Sequence, residues 1–354
     1  MKSKLLMLIL IVLHLFFPQC TGKSEDNKKS ALYVNPVLDI NFADPTVIRA
    51  PDGWFYVYAT QSRTDDKYIH IQVARSKDLI EWEHLGDALP EKPVWATENQ
   101  NFWAPHVHYD HQSETYFMYY SAYQDDGDGK CLAVATSENP EGPFIDKGEP
   151  MLCGEIFINI DPMTFDDPKS GKILMYWGSG FEPIKVRELT DDRLSFKPGT
   201  ETVEVVWPGK DIDYNILVEG AWVNYRNDYY YLFYSGDNCC GVNANYAAMV
   251  ARSKSPFGPF ERLGEARGTG SSVILERSER WLAPGHNSVI TDDGGNDWMF
   301  YHAIDTEDPN LDLETQTRRV MLMDKILYDE QGWPYIKDHK PSQQPVEGPI
   351  VDSK

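Results

Sequence analysis

The chain has 354 residues and a formal net charge of −22 at pH 7. This charge disfavours a nucleic-acid partner, because the phosphate groups would be repelled. Aromatic residues make up 13% of the sequence, and an acidic protein rich in aromatic rings is better suited to a neutral sugar, which can stack on them.

Residues 1–20 have the composition of an export signal. Two lysines precede an apolar run from Leu5 to Phe17, which is too short to cross a bilayer as a stable helix. Cys20 follows, so a lipoprotein acylated at Cys20 is an alternative to simple secretion, although the bulky residues before it depart from the usual lipidation motif. Residues 21–33 are predicted to form a flexible tether. We expect an exported protein, either a periplasmic or cell-surface lipoprotein or a secreted one.

A unit of two strands joined by a tight turn recurs along the rest of the chain. In its first copy, Asp44 precedes a proline and an apolar strand, and a Pro-Asp-Gly turn leads into the aromatic run Trp54 to Tyr58. Later copies open at Trp103, Ile160, Val218 and Pro284. Five copies at a period of roughly 55 to 70 residues, each with three or four strands, are typical of a β-propeller.

We therefore predict an all-β, single-domain fold, a five-bladed β-propeller at residues 34–340, followed by a C-terminal tail at 341–354. The alternative, two β-sandwiches, would need a linker near the middle of the chain. The sequence has no Pro/Ser/Gly-rich break there, and no long amphipathic helix pattern is present.

The residues that open the first strand of each blade converge at one end of a propeller's channel. Asp44, Asp161 and Glu219 do so in three different blades, and such a cluster is unfavourable unless it is used, because like charges raise one another's pKa. Inverting glycoside hydrolysis needs one ionised carboxylate to activate water and one carboxylic acid to protonate the leaving oxygen. A third carboxylate can orient the acid and raise its pKa. Trp103 is expected to form a pocket wall that stacks on a sugar ring.

The residues around these carboxylates resemble glycoside hydrolase family 43. The matching motifs are Phe-Ala-Asp-Pro at Asp44, Ile-Asp-Pro-Met at Asp161 and Val-Glu-Gly-Ala-Trp at Glu219, in the family's order. The resemblance implies a five-bladed propeller and an inverting mechanism, with Asp44 as general base, Glu219 as general acid and Asp161 as the modulator of the acid's pKa. For the two aspartates, a plain turn-forming role before proline is the alternative.

Histidines and arginines supply further candidate site residues. The resemblance implies a histidine on the propeller axis beside a hydrated structural calcium ion, and His286 matches it; a core histidine with satisfied hydrogen bonds is the alternative. It also implies a late arginine that binds the sugar, matched by Arg318 or Arg319. Side chains alternate along a strand, so only one of the two faces the pocket, and we predict Arg318. His106 and His108 alternate onto one face but lack a second zinc-like ligand pair, so we expect rim or packing roles.

Members of the family are chiefly α-L-arabinofuranosidases, β-xylosidases and endo-arabinanases. The resemblance implies a neutral plant polysaccharide or oligosaccharide as substrate, and we expect removal of L-arabinofuranosyl residues. The Cys239-Cys240 loop resembles those of arabinan-degrading members, and Ala43 precedes Asp44 where endo-arabinanases commonly carry His. β-Xylosidase and endo-arabinanase activities are alternatives. So is a non-catalytic glycan-binding propeller, which would be expected to lose at least one of the three carboxylates.

Export permits disulfides among the remaining cysteines. Cys131 and Cys153 are candidates for a bridge beside blade 2, with free thiols as the alternative. The adjacent Cys239 and Cys240 either form a vicinal disulfide that stiffens a pocket wall or stay unpaired.

Overall fold

A computed structural model of the chain describes residues 31–64, 67–98, 101–209, 214–309 and 317–352. The predicted export signal, Cys20 and most of the predicted tether lie outside the described residues. Strands predominate within them, and helical structure is confined to the short helix α1 (Leu263–Arg267) and a 3₁₀ turn at Lys337–His339. None of the helices in this part of the chain has the length and apolar character needed to cross a membrane.

Most strands belong to five antiparallel sheets of four or five strands each. A short strand, β1 (Leu32–Tyr33), precedes them. Blade 1 contains β2 (Thr46–Arg49), β3 (Phe55–Ala59), the inserted hairpin β4 (Ser62–Thr64) and β5 (Lys67–Ile69), β6 (Gln72–Ser76) and β7 (Glu83–Asp87). Blade 2 contains β8 (Trp103–Asp110), β9 (Thr115–Tyr123), β10 (Lys130–Ser137), β11 (Ile145–Asp146) and β12 (Leu152–Cys153). Blade 3 contains β13 (Met163–Asp166), β14 (Ile173–Trp177), β15 (Ile184–Glu188) and β16 (Val203–Val206).

The last two blades complete the set. Blade 4 contains β17 (Val218–Arg226), β18 (Tyr229–Asn238), β19 (Asn245–Ser253), β20 (Glu261–Arg262) and, after α1, β21 (Val273–Leu275). Blade 5 contains β22 (Trp281–Thr291), β23 (Asp297–Asp305), β24 (Val320–Tyr328) and β25 (Pro334–Ile336). A final short strand, β26 (Val346–Glu347), follows blade 5.

The five sheets form a ring, which confirms the predicted five-bladed β-propeller. First strands contact the first strands of the neighbouring blades all the way round: β2 with β8, β8 with β13, β13 with β17, β17 with β22, and β22 with β2. Within a blade the later strands follow in chain order, except that β12 pairs with β10 and β21 pairs with β19. The first strands therefore surround the axis, and their ends meet at two opposite mouths.

The two ends of the described chain pair with each other. β1 lies antiparallel to β26, with Leu32 opposite Glu347, and the Tyr33 hydroxyl donates to the Met323 carbonyl in blade 5 over 2.9 Å. Strand structure thus extends beyond the predicted limits of 34 and 340. The end of the predicted tether and part of the predicted tail belong to the folded ring, because each supplies the backbone hydrogen-bond partner that the other lacks.

Apolar and aromatic side chains fill the spaces between the blades. Every residue of β3 and of β23 is buried. Both faces of such a strand are covered by neighbouring blades, which accounts for a continuous run of aromatic and β-branched residues instead of strict alternation. This packing fixes the position of the first strands around the axis.

At one mouth, a left-handed residue bends the start of each first strand or the segment leading into it. The five residues and their φ angles are Asp44 (59°), Ala104 (46°), Asp161 (56°), Gly220 (62°) and His286 (49°). In blades 2, 4 and 5 the ladder shifts register at the same place, as it does at a β-bulge. Four of the five are not glycine, and such conformations cost on the order of 1 kcal/mol each. Backbone strain is therefore concentrated at the mouth where the predicted site residues lie.

A disulfide joins Cys131 to Cys153. The two residues lie directly opposite each other on β10 and β12, so the bridge ties this short outer strand to blade 2. Of the two sequence alternatives, the structure has the bridge.

Candidate active site

A cavity of about 290 Å³ occupies the mouth at which the first strands are bent. Its lining brings together residues from all five blades and the loops between them: Asp44, Trp103, Phe157, Ile160, Asp161, Leu217, Glu219, Asp237, Asn238, Cys239, Cys240, His286 and Arg319. The three predicted carboxylates thus face one cavity. Each is almost fully buried, with an exposed fraction of 6 to 8%.

Asp44 is held as an ionised carboxylate by donors on both of its oxygens. The Thr60 hydroxyl donates to Oδ2, and Arg319 Nη1 lies 3.1 Å from Oδ1. The Asp44 backbone N–H donates to Nδ1 of His302 over 3.1 Å. Burial opposes ionisation, but the positive charge of Arg319 and the neighbouring histidines hold the pKa of Asp44 well below its usual value. This carboxylate is therefore negative, and a base, across the ordinary pH range.

Glu219 has the opposite tendency. Burial raises the pKa of its carboxyl group to about 7, and the negative charge of Asp44 acts in the same direction. Two hydrogen bonds limit the rise: the Tyr246 hydroxyl donates to Oε1 over 2.8 Å, and the Ser179 hydroxyl donates to Oε2 over 3.1 Å. Glu219 is therefore able to carry a proton near neutral pH and to release it.

Asp161 interacts electrostatically with both of the other carboxylates. Burial raises its pKa well above the usual value, and the charges of Glu219 and Asp44 add to the effect. Its Oδ2 accepts the Gly220 backbone N–H over 3.0 Å, and its own N–H donates to the Ser121 hydroxyl over 3.1 Å. Asp161 thus fixes the backbone of the residue that follows Glu219, which is the geometry of an orienting group.

His286 sits between the two aspartates. Its Nδ1 lies 3.5 Å from Asp44 Oδ1 and 3.8 Å from Asp161 Oδ2, and burial lowers the pKa of the imidazole. The described residues contain no group of three or more His, Cys, Asp or Glu side chains placed to hold a metal ion. Calcium also prefers six to eight oxygen ligands, which this imidazole does not supply. The calcium ion stays a prediction.

The prediction that Arg318 faces the pocket is wrong, and Arg319 takes that place. Arg318 does not line the cavity, and its Nη2 donates to the Asp39 carbonyl over 2.8 Å. Both arginines precede β24, and Arg319 continues the face on which Met321 packs between blades 5 and 1. Asp44 belongs to blade 1, so a side chain on this face of β24 is directed towards blade 1. The Arg319 guanidinium therefore reaches the Asp44 carboxylate.

Trp103 lines the cavity, as predicted. The amine nitrogen of Lys130 lies 3.4 Å from the centroid of the Trp103 ring and donates to the Asn101 carbonyl over 2.8 Å. Cys239 and Cys240 form a disulfide and line the same cavity, as the pocket-wall interpretation required. Trp103 and the cysteine pair are therefore walls of the site.

One set of site residues was missed in the sequence. In each blade, a polar side chain in the last part of the second strand or just after it bonds to the site-bearing segment of the next blade: Thr60 to Ala104, Ser121 to Asp161, Ser179 to Glu219, Ser235 to His286 and His302 to Asp44. In blades 2, 4 and 5 this residue directly follows a tyrosine (120, 234 and 301). Alignment of the five repeats on their second strands would have found it.

The family model for glycosyl hydrolases family 43 matches residues 33–334. The chain belongs to this family. A curated relative, β-D-galactofuranosidase xynD of Aspergillus niger, is 30% identical over 84% of this chain and 83% of its own length. Another, the extracellular exo-α-(1→5)-L-arabinofuranosidase ArbA of Cellvibrio japonicus, is 26% identical over 84% of this chain and 87% of its own.

Solved structures have the same fold. A thermostable family-43 glycoside hydrolase superposes with a TM-score of 0.73 and 26% identity, covering 90% of this chain and all of that one. An exo-1,5-α-L-arabinanase from a bovine ruminal metagenomic library gives a TM-score of 0.66 and 26% identity, covering 84% of this chain and 98% of its own. Membership of the family makes the protein a glycoside hydrolase.

Proposed function

We propose that the protein is an exported, inverting α-L-arabinofuranosidase that removes L-arabinofuranosyl residues from plant cell-wall polysaccharide or its oligosaccharides. One observation carries the proposal: an ionised carboxylate, Asp44, and a carboxyl group with a pKa of about 7, Glu219, face the same cavity. A base and an acid at one site are the two groups that hydrolysis with inversion requires.

In the proposed reaction, Asp44 takes a proton from a water molecule as that water attacks the anomeric carbon. The bond between this carbon and the leaving oxygen breaks, and Glu219 gives its proton to that oxygen. Asp44 ends protonated and Glu219 ionised, and proton exchange with solvent restores both. Asp161 holds Glu219 in place through the Gly220 N–H, and Arg319 keeps Asp44 ionised before the water arrives.

The choice of sugar draws on the relatives and on the cavity. The two curated relatives are named for the release of arabinofuranose and galactofuranose, which are both five-membered sugar rings. A cavity of about 290 Å³ lies at the small end of ligand pockets, which suits one or two sugar units better than a long enclosed chain. Trp103 offers an apolar face to such a ring.

The proposal of export rests on the sequence of residues 1–20. Lipidation of Cys20 would anchor the protein to a membrane, and a protein made with Cys20→Ala would then be released into the soluble fraction. ArbA is named as extracellular, which agrees with an exported protein.

The activity is tested with nitrophenyl glycosides. We expect the wild type to hydrolyse the α-L-arabinofuranoside with a higher kcat/KM than the β-D-xylopyranoside, and Asp44→Asn to abolish the release of the aglycone. Glu219→Gln should lose most of its activity on arabinotriose, because the leaving oxygen of a sugar, unlike nitrophenolate, needs the proton of the acid. Early proton NMR spectra of the product should show the inverted, β-anomeric furanose. Binding without turnover by the wild type would instead support a glycan-binding propeller, and a product of the same anomeric configuration would rule out inversion.

A second candidate is β-D-galactofuranosidase activity, which the 30% identity to the Aspergillus niger enzyme favours. The β-D-galactofuranosyl ring has the same ring configuration as the α-L-arabinofuranosyl ring and carries one more CH₂OH group. The ratio of kcat/KM for the two nitrophenyl furanosides decides between them. Product profiles on arabinan then separate release of single residues from internal cleavage.

A further inference from the structure

The amine of Lys130 lies beside the catalytic cavity, and the proposed reaction does not use it. Lys130 begins β10 and has no exposed surface, which is rare for a lysine because burial takes its charge out of water. Burial lowers the pKa of the amine well below its usual value, and the negative charge of Asp161 opposes this change. A methionine of similar length would fill the same space without that cost. The amine therefore indicates a role beyond packing.

Two aromatic rings and one carbonyl oxygen surround the amine nitrogen. It lies 3.4 Å from the ring centroid of Trp103 and 4.3 Å from that of Tyr123, and it donates to the Asn101 carbonyl over 2.8 Å. The face of an aromatic ring attracts an ammonium group within about 6 Å of its centroid, most strongly where water is excluded. The two rings therefore stabilise the same charged form of Lys130 that Asp161 stabilises.

Three neighbouring strands of blade 2 bring these side chains together. Lys130 lies opposite Tyr123 in the pairing of β10 with β9, and Trp103 lies opposite Ser121 in the pairing of β8 with β9. The ladder of β8 shifts register between Trp103 and His106. Trp103 thus stands at the edge of a bulge, where a continuous ladder does not fix the direction of its side chain.

The two faces of the Trp103 ring have different surroundings. Trp103 lines the catalytic cavity, whereas Lys130 and Tyr123 do not. Since Lys130 has no exposed surface, its amine lies against the side of the ring that the protein covers. The opposite face is left for the cavity, where a sugar can stack its C–H groups on the ring. A ring whose tilt is fixed in advance loses less freedom when the sugar binds.

We propose that Lys130 is a positioning residue, whose ammonium group holds the Trp103 indole at the tilt in which the ring receives the sugar. Lys130 does not touch the substrate, and it acts on sugar binding through Trp103. The choice of a furanoside as substrate in the second test rests on the proposed function, whereas the contact between Lys130 and Trp103 does not.

The first test observes the ring itself by NMR in protein with isotope-labelled tryptophan. The indole N–H signal of Trp103 is the one that disappears in Trp103→Phe. Lys130→Met keeps the length of the side chain and removes its charge, so it should lower the heteronuclear NOE of that signal because the ring is no longer held. An unchanged NOE of the Trp103 indole in Lys130→Met would overturn the proposal.

Lys254→Met is the matched control for this measurement. Lys254 Nζ also lies 3.4 Å from a ring centroid, that of Tyr229, but neither residue lines the catalytic cavity. The Trp103 signal should therefore be the same in Lys254→Met as in the wild type. If Lys130→Met fails to fold, Lys130→Gln takes its place, because it keeps an N–H donor for the Asn101 carbonyl and still removes the charge.

The second test is a double-mutant cycle, measured with the nitrophenyl furanoside that the wild type hydrolyses faster. Lys130→Met should raise KM about fivefold when Trp103 is present. In a Trp103→Ala protein, which has no ring to hold, the same change should leave KM as it is. Lys254→Met should leave KM unchanged in both backgrounds.

The cycle also separates this role from an effect on the carboxylates. Asp161 loses a positive neighbour in Lys130→Met, but an effect through Asp161 does not need the ring and would appear equally with and without Trp103. Equal increases in KM in the two backgrounds would therefore overturn the proposal. If the wild type hydrolyses no furanoside, the proposed function fails, and the NMR measurement alone decides whether Lys130 holds Trp103.

Discussion

The same five strands form both mouths of the propeller axis, but the two mouths shift the pKa of an aspartate in opposite directions. At the catalytic mouth, no described arginine pairs with Asp161, and burial together with Glu219 and Asp44 raises its pKa against the opposing charge of Lys130. Five residues further along the chain, Asp166 lies at the other mouth against Arg193 and His108. There its pKa is lowered, although burial acts in the opposite direction.

Partners, more than depth, separate a reactive carboxylate from a structural one in this protein. At the far mouth, His108 and Arg193 stabilise the ionised form of Asp166 and oppose its protonation. Among the described residues that line the catalytic cavity there is one arginine, Arg319, and it pairs with Asp44. Glu219 is left with two hydroxyl donors, which are too weak to prevent the rise of its pKa. One site thus contains both a base and an acid.

The largest expected effect comes from removing the acid. Glu219→Gln should lower kcat on arabinotriose about 10²- to 10⁴-fold, because the leaving oxygen of the sugar is no longer protonated. The matched change at the other mouth, Asp166→Asn, should leave kcat unchanged. It should lower the free energy of unfolding by about 1 kcal/mol, since solvent screens this half-exposed pair. Equal losses of activity in the two variants would contradict the distinction between the mouths.

Two adjacent arginines give the next contrast. Arg319→Met should lower kcat/KM about 10²-fold and move the acidic limb of its pH profile to higher pH, because loss of the positive charge raises the pKa of Asp44. Arg318→Met removes an ion pair with Asp39 outside the cavity and should behave as the wild type. Profiles of kcat/KM from pH 3 to 9 measure both. An unshifted acidic limb in Arg319→Met would mean that Asp44 does not depend on this arginine.

The sequence predicted the blades and the three carboxylates because both are carried by local patterns that repeat. Asp44 and Asp161 occupy the same left-handed position of their blades, and a proline follows each. Glu219 is one residue earlier, since in blade 4 the left-handed residue is Gly220. A motif and a repeat register are enough to find such residues without knowing which blades touch.

The remaining site contacts join residues that are distant in the sequence, and no local pattern shows which side chains meet. Tyr246 reaches Glu219 from the third strand of the same blade, and the bond of His302 to Asp44 crosses the junction of blades 5 and 1. The prediction of Arg318 instead of Arg319 was wrong for a related reason. Alternation separates the two side chains, but only the packing of β24 on blade 1 shows which face holds the site.

The pH dependence of the wild type tests the state of the acid. Glu219 must be protonated to act, and its pKa is about 7, so kcat/KM should fall as the pH rises through about 7. Tyr246→Phe removes a donor that favours the ionised form, so the pKa of Glu219 should rise and the alkaline limb should move up by as much as about one pH unit. The acidic limb, set by Asp44, should stay in place. A downward shift of the alkaline limb would show that Tyr246 stabilises the protonated acid instead.

The smallest expected effect concerns the rim of the catalytic mouth. Phe181 is 58% exposed, and its ring contacts Phe157, a lining residue, with centroids 5.9 Å apart. It lies two residues from Ser179, whose hydroxyl bonds to Glu219. The leaving group departs on the side of the acid, so Phe181 is placed to contact the sugar that leaves.

Phe181→Ala should therefore lower kcat/KM on arabinotriose about threefold to tenfold, the size of one lost aromatic contact. Arabinofuranosyl fluoride is the matched substrate, because its leaving group is a single atom that cannot reach the rim. Hydrolysis of the fluoride should be unchanged in the variant. An equal loss on both substrates would show that Phe181 acts inside the pocket, through Phe157 or Glu219, and does not contact the leaving sugar at the rim.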